Sequence, residues 1–319
     1  MPFPLHPSIG FIGAGRLAQT LAAAWHRRGY QIAAVTSRSK ESSRQLAERA
    51  GQCQIVSDLQ HVIEATTLVF VTVPDDAIGA VAAQLCYSPE RAGSCALVHC
   101  SGASSVDLLE PARAQGVLTG GFHPLYLFTG QATDVDRLAG CSITIEAPAP
   151  LNAALRTLVG ALDCVPLSIP SGARMLYHGA ASYAASFAVA SLYENVTLWK
   201  HIGLDEDAAL AALLPMLERT LQSVRDKGLP GAIAGPVSRG DVSVIRSQLD
   251  TLAALGEDHM ALYAMLTRRV AALARRRSPA PSGLDAIEAT VEAALQRGTD
   301  APAPNDSAAH RSGRVPPRP

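Results

Sequence analysis

The sequence predicts a doubly wound α/β domain followed by an all-α domain, and three observations carry that reading. From Ser8 to about Pro170, short apolar runs alternate with segments of helical periodicity. That is the pattern of parallel strands joined by right-handed crossovers, with helices on both faces of the sheet. From Ala173 to about Arg277 no β-branched run of strand length occurs, so this part reads as helices. A glycine-rich turn closes the first apolar run, where open α/β sheets bind ligands. The length of 319 residues suits two domains, at roughly 100–200 residues each.

Taken in order, the expected strands lie near 8–12, 31–36, 53–56, 67–73, 95–100, 117–122, 141–146 and 164–168. Those around Val69 and Leu97 are apolar on both faces, as the middle of a covered sheet requires. Helices are expected over 16–28, 42–50, 76–85, 105–115 and 151–162. Pro170-Ser171-Gly172 marks the boundary between a domain over 1–170 and a helical one over 171–297. Its helices are expected near 173–200, 205–227, 241–255 and 257–276, with breakers at Gly203, Gly228-Leu229-Pro230-Gly231 and Gly235-Pro236. A linker from Ser278 to Gly283 precedes a last amphipathic helix near 284–297. Residues 298–319, rich in Pro, Ala, Ser and Arg, have little to bury and are expected to be disordered.

Composition narrows the function. Hydrophobic residues are 48% against 17% charged, with a formal net charge of −1, which gives no electrostatic reason to expect nucleic acid or an anionic membrane. A small molecule is the expected partner. The six cysteines include no C-x-x-C pair, so neither a zinc site nor a disulfide framework is expected, and reduced thiols in the cytoplasm fit best. Met1–Pro7 has no basic stretch that would suggest a secretory leader. The run Gly179–Val189, interrupted by serines and Tyr183, suits a buried helix better than a membrane span.

The strongest motif is Gly13-Ala14-Gly15-Arg16-Leu17-Ala18, a G-x-G-x-x-A between an apolar strand and a helix. Gly13 permits the tight turn, Gly15 lets a pyrophosphate approach the backbone N–H groups opening the helix at Arg16 and Leu17, and Ala18 lets helix and strand pack closely. This is the fingerprint of a Rossmann domain. An NAD site would carry Asp or Glu at the end of the second strand, but here the strand ends in Thr36-Ser37-Arg38-Ser39. A guanidinium flanked by hydroxyls matches a 2′-phosphate, so the expected cofactor is NADP. Val73-Pro74 after the fourth strand should line the same cleft, with Asp75 or Asp76 capping the next helix.

Two loops should border the nicotinamide end: His99-Cys100-Ser101-Gly102 and Gly121-Phe122-His123-Pro124. Ser101 and His123 are the candidate hydrogen-bonding partners of a reactive carbonyl, whose oxygen gains negative charge on hydride transfer and needs a proton donor. This pair is similar to prephenate dehydrogenases, which place a serine after one strand and a His-Pro motif after the next. Val98–Ala103, Phe122–Leu125, Tyr177–Ala181 and Gly235–Asp241 together resemble the Rossmann-like family whose C-terminal domain is DUF2520, over roughly residues 8–297. That resemblance implies the plan of 6-phosphogluconate and β-hydroxyacid dehydrogenases, with an all-α C-terminal domain, and a kinship with ketopantoate reductases. The lysine that serves β-hydroxyacid dehydrogenases early in the helical domain has no counterpart in Arg174–His178. His123 or His178 is then the expected proton donor. Ser186 stands where the family suggests asparagine.

His178, Ser182 and Ser186 recur every four residues, a polar stripe that could face the cleft or be satisfied within a helix bundle. In Gly235–Asp241, Asp241 is the expected helix cap and Arg239 the expected anchor for a substrate carboxylate, unless the two pair with each other. The leading expectation is an NADPH-dependent reductase of a small carbonyl compound, a ketopantoate-like 2-keto acid foremost. A prephenate-dehydrogenase-like enzyme, an imine reductase and a non-catalytic NADPH-binding protein are the alternatives. The alanines and leucines of 173–200 and 241–276 exceed what one thin layer could bury, so a homodimer is expected.

Overall fold

The structure, a computed structural model, describes residues 3–51 and 53–300. They fall in two compact units, one reaching to Ser186 and the other starting at Phe187. In the first, β1 (Ile9–Ile12), β2 (Ile32–Thr36), β3 (Gln54–Ile55), β4 (Leu68–Val71), β5 (Ala96–His99), β6 (Leu118–Pro124), β7 (Ser142–Glu146) and β8 (Val165–Ser168) form one sheet. Its order is β3-β2-β1-β4-β5-β6-β7-β8. All eight expected strands occur. Around them are α1 (Arg16–Arg27), α2 (Lys40–Arg49), α3 (Leu59–Ala65), α4 (Ile78–Ala83), α5 (Glu110–Arg113), α6 (Ala149–Gly160) and α7 (Arg174–Ala181). Helix α3 was not legible as a periodic pattern because it is seven residues long. Its start is fixed by Asp58, whose carboxylate accepts from Gln60 N–H at 3.0 Å.

Side chains along each strand alternate between two cores. Phe11, Leu68, Phe70, Val98 and Phe122 join Trp25 of α1 and Leu155 of α6 on one face. Ile12, Val69, Val71 and Leu97 join α3 and α4 on the other. Trp25 anchors the first face: its ring lies 5.0 Å from that of Phe70, and its Nε1–H donates to the Leu158 carbonyl at 3.0 Å.

The sheet departs from the expected parallel plan at one place. β6 and β7 pair antiparallel, Gly121 opposite Glu146 and Pro124 opposite Ile143. The connection 125–141 holds only a short 3₁₀ turn, Ala132–Asp134, and no crossover helix. Without a helix to carry it back along the sheet, the chain turns at the same edge and is closed there by Leu125 N–H donating to the Ser142 carbonyl at 2.8 Å. Burial of the Asp134 carboxyl opposes its charge, but hydrogen bonds from Thr129 and the N–H of Gly130 hold it below the usual carboxylate range.

The division after Ser186 falls beyond the expected boundary near Pro170, because α7 is docked to the sheet through the buried Arg174. The single helix expected over 173–200 is also broken. A 3₁₀ turn spans Ser182–Ala184, Ala185 leaves the helical region at φ −119 and ψ −93, and a new helix begins at Ser186. Most residues from Met175 to Glu194 are exposed or half-buried, so little packing holds this small-residue segment straight. The expected stripe of His178, Ser182 and Ser186 therefore does not lie on one helix.

The second unit contains α8 (Ser186–Lys200), α9 (Glu206–Ala232), α10 (Gly235–Arg239), α11 (Val242–Leu255), α12 (Glu257–Ala274) and α13 (Leu284–Asp300). Asp205 caps α9, accepting from Ala208 N–H at 2.8 Å, and the helix is interrupted at Gly228, φ 68 and ψ 171. Ile245, Leu249, Met260, Ala264, Ile287 and Val291 form the core of α10–α13. The disorder expected of 298–319 falls on residues that are either the end of α13 or outside the described residues. Among the described residues, no helix is long and apolar enough to cross a membrane, and no group of three or more His, Cys, Asp or Glu is placed to hold a metal.

Candidate active site

The strand order switches at β1, which pairs with β2 on one side and β4 on the other, and this is where α/β sheets open a crevice. Gly13 turns the chain there at φ 102, and a Cβ would fall 2.5 Å from the Thr72 carbonyl oxygen. Thr72 secures the turn, its hydroxyl lying within hydrogen-bonding distance of the carbonyls of Gly13 and Ile12. Gly15 stands at the head of α1 with open space where a side chain would be. No side chain caps α1 and no acid lies in its first turn, so its leading N–H groups and dipole are left to an anion. Arg16 and Leu17 open the helix, and Ala18 is fully buried against the sheet. A cavity of about 550 Å³ runs from this turn past Thr36, Ser37 and Arg38 to Val73 and Pro74.

Arg38 is exposed at the mouth of that cavity. Ser37 and Ser39 serve the local backbone: Ser37 Oγ accepts from Ser39 N–H, and Ser39 caps α2, accepting from Ser42 N–H at 3.1 Å. No carboxylate ends β2, as its residues show.

Beyond β5 and β6 the candidate groups cluster. Ser101 is buried, and its hydroxyl is fully used: it donates to Asp75 at 2.7 Å and accepts from the N–H groups of Ala103 and Ser104. Ser101 thus shapes its loop and has no lone pair left for a substrate. Asp75 is the tether that holds Ser101, while Pro74 occupies the cap position ahead of it. His123 lies at the end of β6 with its Nδ1 3.2 Å from the Tyr177 hydroxyl and its ring centroid 6.0 Å from that of His178. Gly102 lies beside both rings: a Cβ there would fall 2.6 Å from His178 Cδ2 and 2.8 Å from His123 Nε2. His178 is exposed on α7, and the Ser182 hydroxyl donates to the His178 carbonyl at 3.4 Å.

The group that organises this cluster is Arg174, which the sequence did not flag. It is 3% exposed. Its Nε donates to Glu146 at 2.6 Å and its Nη1 to the Ser101 carbonyl at 2.6 Å. Gly121 makes room for it, since a Cβ there would collide with the guanidinium. The available signal was Gly121 two residues before His123, on the same face of the strand.

Burial, His178 and Arg174 push His123 down to about 4, against an opposing pull from Asp75. Burial and Arg174 likewise push His99 down to about 4. Both imidazoles are neutral at pH 7. His99 Nδ1 accepts from Ser101 N–H at 3.2 Å, which places its proton on Nε2.

In the second unit, Arg239 is exposed at the end of α10. Asp241 neither pairs with it nor caps α11 through its side chain; its carboxylate accepts from the Ser243 hydroxyl at 3.1 Å. The expected cap is thus corrected: the Asp241 backbone, at φ −85 and ψ 79, sits at the helix head while its side chain turns to a neighbouring hydroxyl.

An open pyrophosphate turn at the strand switch and an acid-free second strand define a dinucleotide-binding α/β domain. The Rossmann-like domain model matches residues 4–124, and that of DUF2520, a domain of unknown function, matches residues 141–270. Between them they account for most of the chain, which joins a Rossmann-like domain to a DUF2520 domain. No curated protein matches. Among solved structures, the chain is similar to Bacteroides fragilis BF3122, designated a candidate NADP oxidoreductase, at 26% identity over 83% of this chain and 98% of that one, TM-score 0.61. Protein TM1727 from Thermotoga maritima is 24% identical over 84% and 100%, TM-score 0.68. An imine reductase from Pseudomonas sp. is 17% identical over 92% and 94%, TM-score 0.58. The last two attest the fold.

Buried His99 and half-buried His123 make stability pH-dependent. Their folded pKa values near 4 lie below the ordinary imidazole value of 6.5, so the unfolded chain binds more protons between those limits. Unfolding free energy should fall as pH drops from about 6.5 towards 4, with a slope approaching about two protons, and be insensitive to these groups above 7. Denaturant titrations across pH check this. His99→Gln should flatten the slope by about one proton; an unchanged slope in that variant would show His99 to be protonated in the fold.

Proposed function

We propose that the chain is an NADPH-dependent reductase that transfers hydride to a small carbonyl compound, a ketopantoate-like 2-keto acid fitting best. One observation carries the reading: an open phosphate cradle and a neutral, half-buried imidazole stand at the carboxyl ends of strands in one sheet. The first N–H groups of α1 would hold the cofactor's pyrophosphate, and Arg38 with Ser37 its 2′-phosphate. NADPH, when bound, supplies the hydride. The likeness to BF3122 supports this choice of cofactor.

Tyr177 donating to Nδ1 of His123 would leave the imidazole proton on Nε2, ready for an oxygen that gains negative charge. The buried charge of Arg174, held by Glu146, favours that oxygen and opposes a cationic iminium, which is why a carbonyl is preferred to an imine. Ser101 positions the loop that carries Gly102. Arg239, with no ion pair to Asp241, is the candidate carboxylate anchor. Following NADPH oxidation against 2-keto acids, aldehydes and cyclic imines tests the reading. Turnover of imines alone would overturn the carbonyl assignment, and no turnover with firm NADPH binding would favour a non-catalytic role.

Four outcomes are expected. Arg38→Ala should weaken NADPH binding at least tenfold more than NADH binding in fluorescence titrations, since an Arg–phosphate contact of about 1.5–3 kcal/mol is lost with one cofactor only; equal losses would remove the case for this site. His123→Ala should lower kcat by roughly 10²–10⁴-fold with little change in NADPH affinity, whereas Arg239→Ala should chiefly raise KM. Should His178→Ala abolish turnover and His123→Ala leave it intact, the donor is His178. Finally, Leu176, Val189 and Tyr193 are 79%, 67% and 71% exposed along α7 and α8, and a second copy of the chain is the proposed cover. Sedimentation at micromolar concentration should find a dimer; a monomer would rule this out.

A further inference from the structure

Two cysteines outside the candidate site lie side by side. β7 and β8 run parallel with Ser142 opposite Val165, so the residues just before them, Cys141 and Cys164, are neighbours across the strands. Backbone bonds hold them there from both sides: Gly140 N–H donates to the Asp163 carbonyl at 2.8 Å, and Val165 N–H to the Cys141 carbonyl at 2.9 Å. Their sulfur atoms are 3.7 Å apart. Paired strands lie about 4.7–4.9 Å apart, within the range of about 4.4–6.8 Å between Cα atoms that a disulfide spans. The bond requires the sulfur atoms to close from 3.7 Å to about 2.05 Å.

We propose that Cys141 and Cys164 are a peroxide-responsive dithiol that closes to a disulfide between β7 and β8. Cys141 is half-buried and gives peroxide access, while Cys164 is buried beneath it. Donation from the Cys141 thiol draws Cys164 below its ordinary value. In the first step one thiol is oxidised by two electrons to a sulfenic acid, and hydrogen peroxide is reduced, releasing one water. The other thiol then attacks the sulfenic sulfur; the S–S bond forms, the S–O bond breaks, and a second water leaves. Two thiols and one peroxide thus give one disulfide and two waters.

The other four cysteines are differently placed. Cys86 is exposed, and Cys53, Cys95 and Cys100 are buried. Burial pushes the Cys53 thiol up to about 12 and raises Cys100 as well, and Cys95 accepts from Arg91 Nε. None has a second cysteine in contact among the described residues. The bond would staple β8, the edge strand of the sheet, to its only strand neighbour, and a thiol reductant would release it.

The test uses the reduced full chain, treated with a small molar excess of hydrogen peroxide, unfolded in denaturant and alkylated with N-ethylmaleimide. The count of free thiols should fall from six by two and return with dithiothreitol. Tryptic digestion without reductant should yield Leu138–Arg156 joined to Thr157–Arg174, lighter by two hydrogens than the separate peptides. Cys141→Ser and Cys164→Ser should each fail to show the paired loss. Retention of all six thiols, added oxygen on these peptides without joining, or joining through another cysteine would each overturn the proposal.

Discussion

A guanidinium buried at the foot of α7 is the constraint on which the candidate site depends. Taking Arg174 out of water is costly, and the cost is offset only because Glu146 and the Ser101 carbonyl receive it. These contacts reach from β7 to the loop after β5, passing over β6. The guanidinium crosses the sheet where His99, Gly121 and Glu146 stand in register on three adjacent strands, and it can do so because the middle residue has no side chain. The helix bearing Tyr177 and His178 is thereby docked beside His123.

The same charge adds to what burial does to its surroundings. Burial is the main reason that His99 and His123 are held neutral, and a cation in a poorly hydrated setting disfavours further positive charge beside it. A neutral imidazole with a hydroxyl at one nitrogen can present a proton at the other without first becoming imidazolium, a state suited to an electron-rich oxygen. Ser101, whose type suggests direct participation, instead spends its hydroxyl on Asp75 and two backbone N–H groups. Its part is to keep the following glycine close to both histidine rings.

Local patterns in the chain carried most of the fold. Apolar runs bounded by turns located all eight strands, and Gly228 and Gly240 mark helix ends with positive φ. What escaped were features decided by contacts between distant segments. The reversal of β7 depends on the absence of a crossover helix, which a 17-residue polar and aromatic connection does not announce. Arg174 reads as an ordinary helix-opening charge until Glu146 and Gly121 are brought under it. Conversely Ser101 and His123 were found because each follows a strand at the sheet's ligand-binding edge, but their division of labour rested on hydrogen bonds that spacing alone cannot reveal. The break at Ala185 likewise depends on packing, since its small residues carry good intrinsic helix propensity.

The reversed strand has a bearing on how the candidate donor is mounted. β5 ends its pairing with β6 at Gly121, yet β6 continues for three residues because antiparallel β7 supplies partners for Phe122, His123 and Pro124. His123 consequently projects from a cantilever: a strand supported along one flank and free along the other. Phe122, packed into the aromatic core, pins its underside. The orientational entropy of the imidazole is thus largely surrendered during folding rather than at each encounter with a ligand. Such a mounting makes position 123 a fixed address, at which another side chain could be presented to a different reaction without rebuilding the loops around it.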